Sequence, residues 1–147
     1  MRFLNTIFVL MLIGGTCVFG QTTHSKKQKI WRVSEAYVVL VKEKAKAKGD
    51  LYEAAQQFTP ETPQFKTANL RLALFNREIN KLSRTNARNV EKFGAAYGDL
   101  ILAKIQTEVE LFELRQKYIP EYIAVKKKEI ELASLNRDLK QITKNLR

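Results

Sequence analysis

Cysteine is all but missing from this chain, which has one, Cys17, in 147 residues, and histidine is equally scarce, with His24 alone. A single cysteine excludes an internal disulfide, so the fold must be held by packing. The one histidine falls in the polar, aperiodic stretch before the helical pattern, so neither a histidine-based catalytic pair nor a histidine zinc site is expected. Of the six glycines, Gly14, Gly15 and Gly20 fall at the start, and Gly49, Gly94 and Gly98 lack the spacing of a phosphate-binding loop. From Trp31 onward there is almost no β-type alternation, and the three prolines, Pro60, Pro63 and Pro120, are the strongest breaks in a helical pattern. These absences leave an all-α chain with no catalytic, cofactor or metal residues to nominate.

Acidic residues are in deficit too: 26 Lys+Arg face 15 Asp+Glu, a formal net charge of +11. Such a surplus raises encounter rates with polyanions and acidic proteins. It does not make a nucleic-acid reader. Lys42, Lys44, Lys46 and Lys48 divide between opposite helix faces, and Lys126, Lys127 and Lys128 fan out in the same way, so no dense basic face forms. The carboxylates Glu108, Glu110 and Glu113 lie close along one helical segment, where pairing with lysine is the ordinary use.

Residues 1–20 read as a secretory signal peptide. Arg2 gives the positive start, Ile7 to Ile13 the apolar core, and Val18-Phe19-Gly20 a cleavage site before Gln21. A membrane anchor is the alternative, but Ile7 to Phe19 is interrupted by Gly14, Gly15 and Thr16 and falls short of the ~20 residues a span needs. Cys17 as a lipidation site lacks the aliphatic residue three positions upstream. Cleavage would leave 127 residues with charge +10 (25 minus 15), no cysteine and no stable membrane span. Residues 21–30 are polar and basic without periodicity and read as a disordered lead-in.

The most informative feature is internal. Residues 31–86 and 91–146 align without a gap at an offset of sixty, with fourteen identities in fifty-six positions, among them Tyr37/Tyr97, Lys44/Lys104, Pro60/Pro120, Glu61/Glu121, Asn76/Asn136 and Arg77/Arg137. Each copy is broken near its middle by proline, which implies two tandem helical hairpins. Four stripes of three-and-four spacing result. The first runs Tyr37, Leu40, Lys44, Ala47, Leu51, Ala54, Phe58, and the second Phe65, Ala68, Leu72, Phe75, Ile79, Leu82. The third runs Phe93, Ala96 or Tyr97, Leu100, Lys104, Thr107, Leu111, Leu114, Tyr118, widened by Ile101, Ile105 and Phe112. Val125, Lys128, Leu132, Leu135, Leu139, Ile142 and Leu146 form the fourth. Such seams predict an elongated, coiled-coil-like four-helix bundle, with homo-oligomerisation through the same packing as a further possibility. Thr59 or Thr62 can cap the second helix, and Ile119 cannot cap the fourth. The alternative at Pro120 is a kink in one helix. Residues 83–90 are a turn by polarity or a continuous helix, and Gly94 and Gly98 are expected to loosen the start of the third arm.

Candidate partner contacts are the residues that the stripes leave out. Trp31, Tyr52, Phe112 and Tyr122 sit off the narrowest seam and could line a groove for apolar segments of a partner. Arg77 and Arg137, each after an asparagine and before an acid, are either two equivalent partner contacts or polar seam residues that fix helix register, the latter being the favoured reading. The function expected is an exported, periplasmic or extracellular, non-enzymatic binding or scaffolding protein of a bacterial cell envelope. Its partner would be a protein or an anionic envelope component. In small size, signal peptide, basicity and helical hairpins the chain resembles the periplasmic Skp/OmpH chaperones, which implies a holdase as the rival function. Tyr118-x-Pro-Glu followed by Val125 and a leucine-spaced helix is similar to hairpin turns of polysaccharide chain-length regulators, which implies an accessory of envelope polysaccharide or efflux machinery. N-terminal sequencing of the exported fraction is expected to begin at or near Gln21; a chain that keeps residues 1–20 in the membrane pellet would establish the anchor instead.

Overall fold

The computed structural model describes residues 34–84 and 92–145, which contain four α-helices and, among the described residues, no strand. They are α1 (Glu35–Gln57), α2 (Pro63–Arg84), α3 (Ala95–Lys117) and α4 (Ile123–Asn145). The signal segment, the lead-in, Trp31 and most of the junction at 83–90 lie outside the described residues.

The bounds of α1 and α3 differ by sixty residues at both ends. The turns after them also share backbone bonding. Phe58 N–H donates to Ala54 C=O at 2.9 Å and Tyr118 N–H to Leu114 C=O at 2.8 Å; Thr62 N–H reaches Thr59 C=O at 3.1 Å and Tyr122 N–H reaches Ile119 C=O at 3.0 Å. Proline ends each helix by the same mechanism, because the residue before it is forced into extended backbone. In the first turn the Thr62 hydroxyl accepts from Phe65 N–H at 3.4 Å and donates to Thr59 C=O at 2.7 Å. The chain therefore turns at Pro120, as it does at Pro60, and is not kinked there.

The two hairpins meet side by side with their N-terminal helix ends together. Ser34 caps α1, its hydroxyl accepting from Tyr37 N–H at 3.2 Å. The equivalent residue before α3 is Gly94, which has no side chain to cap with. Glu35 supplies the acceptor instead, its carboxylate taking Ala95 N–H at 3.0 Å, a favourable place for negative charge at a helix start. Ala36 N–H donates to Phe93 C=O at 3.3 Å beside it. At the other end Pro63 and Lys117 line one open groove of about 640 Å³, so both turns point the same way.

Gly98 has a packing role rather than the loosening role expected of it. It is buried, and a Cβ there would stand 3.0 Å from the Ala36 Cα and 3.3 Å from the Val39 Cβ. Glycine lets the α1 and α3 backbones close at this point.

Packing is uneven around the bundle. α1, α2 and α3 pack on one another, and α4 packs on α3. The main cluster joins Ala36, Leu40 and Ala47 of α1 with Leu74, Phe75, Ile79 and Leu82 of α2 and Ile101, Ile105 and Val109 of α3. From α4 it takes Leu139. The fourth stripe is accordingly thin: Val125 and Leu139 are buried, while Leu132, Leu135 and Ile142 are half-buried. α3 is buried on more than one side. Where it carries Ile101, Ile105 and Val109, α1 carries Val41, Ala45 and Gly49, all exposed. Three of the expected seam positions differ: Ala96 is exposed, leaving Tyr97 as the seam residue, and Phe58 and Tyr118 are exposed at the two turns.

Two glycines give opposite tests. Gly98→Val should destabilise the fold by about 1–3 kcal/mol, the usual cost of overpacking a closed contact. Gly49→Ala, at an exposed helical position with nothing within 4 Å of the added Cβ, should stabilise it by roughly 0.5–1 kcal/mol. Urea unfolding followed by far-UV circular dichroism measures both.

Candidate functional site

Charge is concentrated where α2 crosses α3. Glu78 and Lys104 are both buried, at 5% and 6% exposure, and their side chains meet at 2.9 Å. Glu78 also accepts from Lys81 and from Arg77, each at 3.0 Å. Arg77 reaches across to α3 and grips both oxygens of Glu108 through Nη2 at 2.7 Å. Lys104 stands 3.7 Å from the same carboxylate. Three cations and two carboxylates thus form one network.

Burial alone would push the Glu78 carboxyl up, but hydrogen bonds from Lys104 and Lys81, with their charges, outweigh it and hold the group below the usual carboxylate range. Burial works against the Arg77 charge as well, yet the bond and charge of Glu108 raise its pKa further. Nearby Tyr97 is raised by burial and then by the negative charge of Glu78. A network this well paired is poorly suited to moving protons. Its ordinary role is to fix which residues of two helices face each other.

Arg77 bonds across from α2 to α3. Arg137 differs: it is exposed and has no ion-pair partner among the described residues. The cause is tertiary. The counterpart of the Glu78–Lys104 pair would be Asp138–Lys44, between α4 and α1, but α4 packs on α3 and Asp138 faces solvent. The same motif is used once and left open once.

Beside the network lies an open groove of about 400 Å³. Leu70, Leu111, Phe112 and Leu132 supply its apolar part and Arg77, Glu108 and Arg115 its charged rim. Phe112 is half-buried there. Tyr52 is 71% exposed on α1, and Tyr122 lies in the second turn; neither lines this groove. Of the aromatics named from the sequence, Tyr52, Phe112 and Tyr122 therefore do not share this groove. Leu70 and Arg115 are not singled out by the sequence, and Leu132 is read there only as a seam residue of the fourth stripe. Leu70 lies off the second stripe, and the pairing of α3 with both hairpins is what brings it opposite Leu132.

The α3–α4 side carries a second set of ion pairs. Lys128 binds Glu110 at 2.7 Å and Glu131 at 2.8 Å, and Arg115 binds Glu129 at 2.6 Å. Hydrogen bonds to Glu110 and Glu131 raise the Lys128 pKa, and both carboxyls are lowered in return. The one hydroxyl hydrogen of buried Thr107 is shared between Ala103 C=O at 2.9 Å and the Glu131 carboxylate at 3.2 Å, the second of which joins the two helices. Among the described residues no buried side-chain polar atom lacks a partner, and no group of three or more His, Cys, Asp or Glu could hold a metal ion. No family model matches this chain, and no curated protein or solved structure matches it either.

Lys104→Met should cost about 3 kcal/mol, the low end for a broken buried pair because Lys81 and Arg77 still reach Glu78. Joint replacement with Glu78→Leu should recover most of that loss. The pH dependence has a definite sign. Glu78 is held ionised in the fold, so its contribution is present above the ordinary carboxylate pKa and is lost as pH falls through the lower folded value. Thermal melts in acid should therefore decline less steeply for Glu78→Gln than for the parent chain.

Proposed function

We propose that this protein is an exported, non-enzymatic helical binding or scaffolding module with a basic surface, working in a bacterial cell envelope. The observation that carries the reading is the groove at Phe112, where apolar side chains from three helices lie under a rim that includes Arg77 and Arg115. An apolar floor with a partly cationic rim suits a partner segment that is both apolar and acidic, from a protein or an anionic envelope component. Export rests on Arg2, the Ile7–Ile13 core and Val18-Phe19-Gly20, and a periplasmic or extracellular location follows from it. The description of residues 31–86 and 91–146 as duplicated hairpins of one elongated, coiled-coil-like rod belongs to the same proposal and draws support from the sixty-residue offset of the helix ends.

The holdase is the second reading, favoured by apolar surface along α4, where Ile130 is 72% exposed and Leu135 and Ile142 are half-buried. That surface could also pair two copies of the chain.

Binding to a specific envelope partner should weaken about tenfold or more in Phe112→Ala and stay unchanged in Tyr52→Ala, because a truncated anchor in a groove loses its contact and an aromatic outside it does not. Calorimetry with the captured partner measures both. A holdase would instead suppress aggregation of an unfolded outer-membrane protein at near-stoichiometric ratio, in a salt-sensitive way and without regard to Phe112.

A further inference from the structure

The second turn departs from the first in one chemical direction. Their backbones share the bonds that end the first helix and close the turn, and differ where the next helix starts: Phe65 N–H donates to the Thr62 hydroxyl at 3.4 Å, whereas Val125 N–H donates to Tyr122 C=O at 3.0 Å. Thr59, Thr62 and Pro63 of the first are Ile119, Tyr122 and Ile123 in the second. Thr62 caps α2 with its hydroxyl, whereas Ile119 and Ile123 stand 68% and 78% exposed. Tyr122 stacks on Tyr118 with ring centroids 4.3 Å apart, and both rings remain open to solvent.

Charge changes alongside. Gln57 and Thr67 of the first hairpin are Lys117 and Lys127 in the second. With Lys126 they make three lysines against Glu121 over residues 117–127, where residues 57–67 have Lys66 against Glu61. All three are exposed and have no ion-pair partner among the described residues.

Ile119 and Ile123, beside the stacked tyrosine pair, leave apolar surface in water that the first turn, with Thr59 and Pro63 at the same positions, does without. Contiguous exposed apolar surface of this kind marks an interaction site. We propose that the second turn docks on the surface of an anionic lipid bilayer. Ile119 and Ile123 enter the acyl boundary, the tyrosine pair lies at headgroup level, and the lysines sit among the phosphates. Aliphatic tips, amphipathic rings and a surround of lysine are the chemistry that an anionic interface rewards. The site projects from the end of a hairpin, which suits a broad deformable surface better than a shaped protein pocket. No helix among the described residues is long and apolar enough to cross a membrane, so the contact is interfacial. It is separate from the Phe112 groove, and either can fail without the other.

Co-sedimentation of the full chain with vesicles tests this, using phosphatidylcholine alone and phosphatidylcholine with phosphatidylglycerol in equal parts. Comparing variants within the full chain cancels any contribution of residues 1–20. The parent should bind the mixed vesicles. I119T/Y122T/I123P, which installs the residues of the first turn, should lower affinity by about tenfold or more while the helical signal is kept. K117Q/K127T should lower it roughly fivefold per lysine at low salt, with less effect at high salt. Phe112→Ala should leave it unchanged. The reciprocal transplant, T59I/T62Y/P63I with Q57K/T67K, should raise affinity, and it decides the matter if the first variant fails to fold. Binding that ignores the apolar exchange, or follows the lysines alone, overturns the proposal. So does a parent chain that spares vesicles but loses self-association or client binding on the same exchange, since the turn would then be a protein contact.

Discussion

The structure depends on one constraint, that α3 must pack against each of the other three helices. A single apolar stripe serves a helix with neighbours on one side. α3 meets its wider demand with Ile101, Ile105 and Val109 in the shared core and with Lys104, Thr107 and Leu111 also buried. Lys104 and Thr107 are polar, so each burial is offset by a bond to a neighbour: Lys104 to Glu78 of α2, and Thr107 to Glu131 of α4. These bonds tie α3 to both flanking helices. At its N-terminal end the missing Gly98 side chain admits the α1 backbone, and Glu35 caps α3 from the neighbouring helix.

The uneven surface follows from that arrangement. α4 has one well-packed neighbour, so a stripe written for burial stays half open, and Arg137 and Asp138 remain in solvent although their counterparts Arg77 and Glu78 are tied down. The Phe112 groove arises for the same reason, since α2 and α4 approach α3 from different sides and leave Leu70 and Leu132 facing open space. Both proposed binding surfaces thus lie on the second hairpin and its boundary with the first.

Within the site, legibility was partial, for a physical reason. Arg77 and Phe112 could be singled out because one sits beside the seam and the other off its narrowest line. Their uses could not, because a seam residue becomes a register bond only when its partner helix is known. Glu78 was visible as an acid repeated in Asp138, but its burial depends on Lys104 lying opposite. Tyr52 and Phe112 are equivalent in sequence and separate in space, since α3 has neighbours where α1 has water.

By itself the sequence determined the helices, their breaks and their pairing into hairpins. Periodicity and proline act locally, through backbone geometry and the side-chain spacing of a single helix, so they can be read without knowing what lies nearby. It also excludes a disulfide within the chain and any site built on two of its histidines, because the chain has one cysteine and one histidine. Only the tertiary structure decided that the hairpins lie with their turns at the same end, that α3 is the common neighbour, and that one Asn-Arg motif is bonded while the other is exposed. Those outcomes depend on contacts between segments far apart in the chain. Equivalent positions part ways in those contacts: Gly98 closes on α1 where Val38 is exposed, and Val109 is buried where Gly49 is exposed.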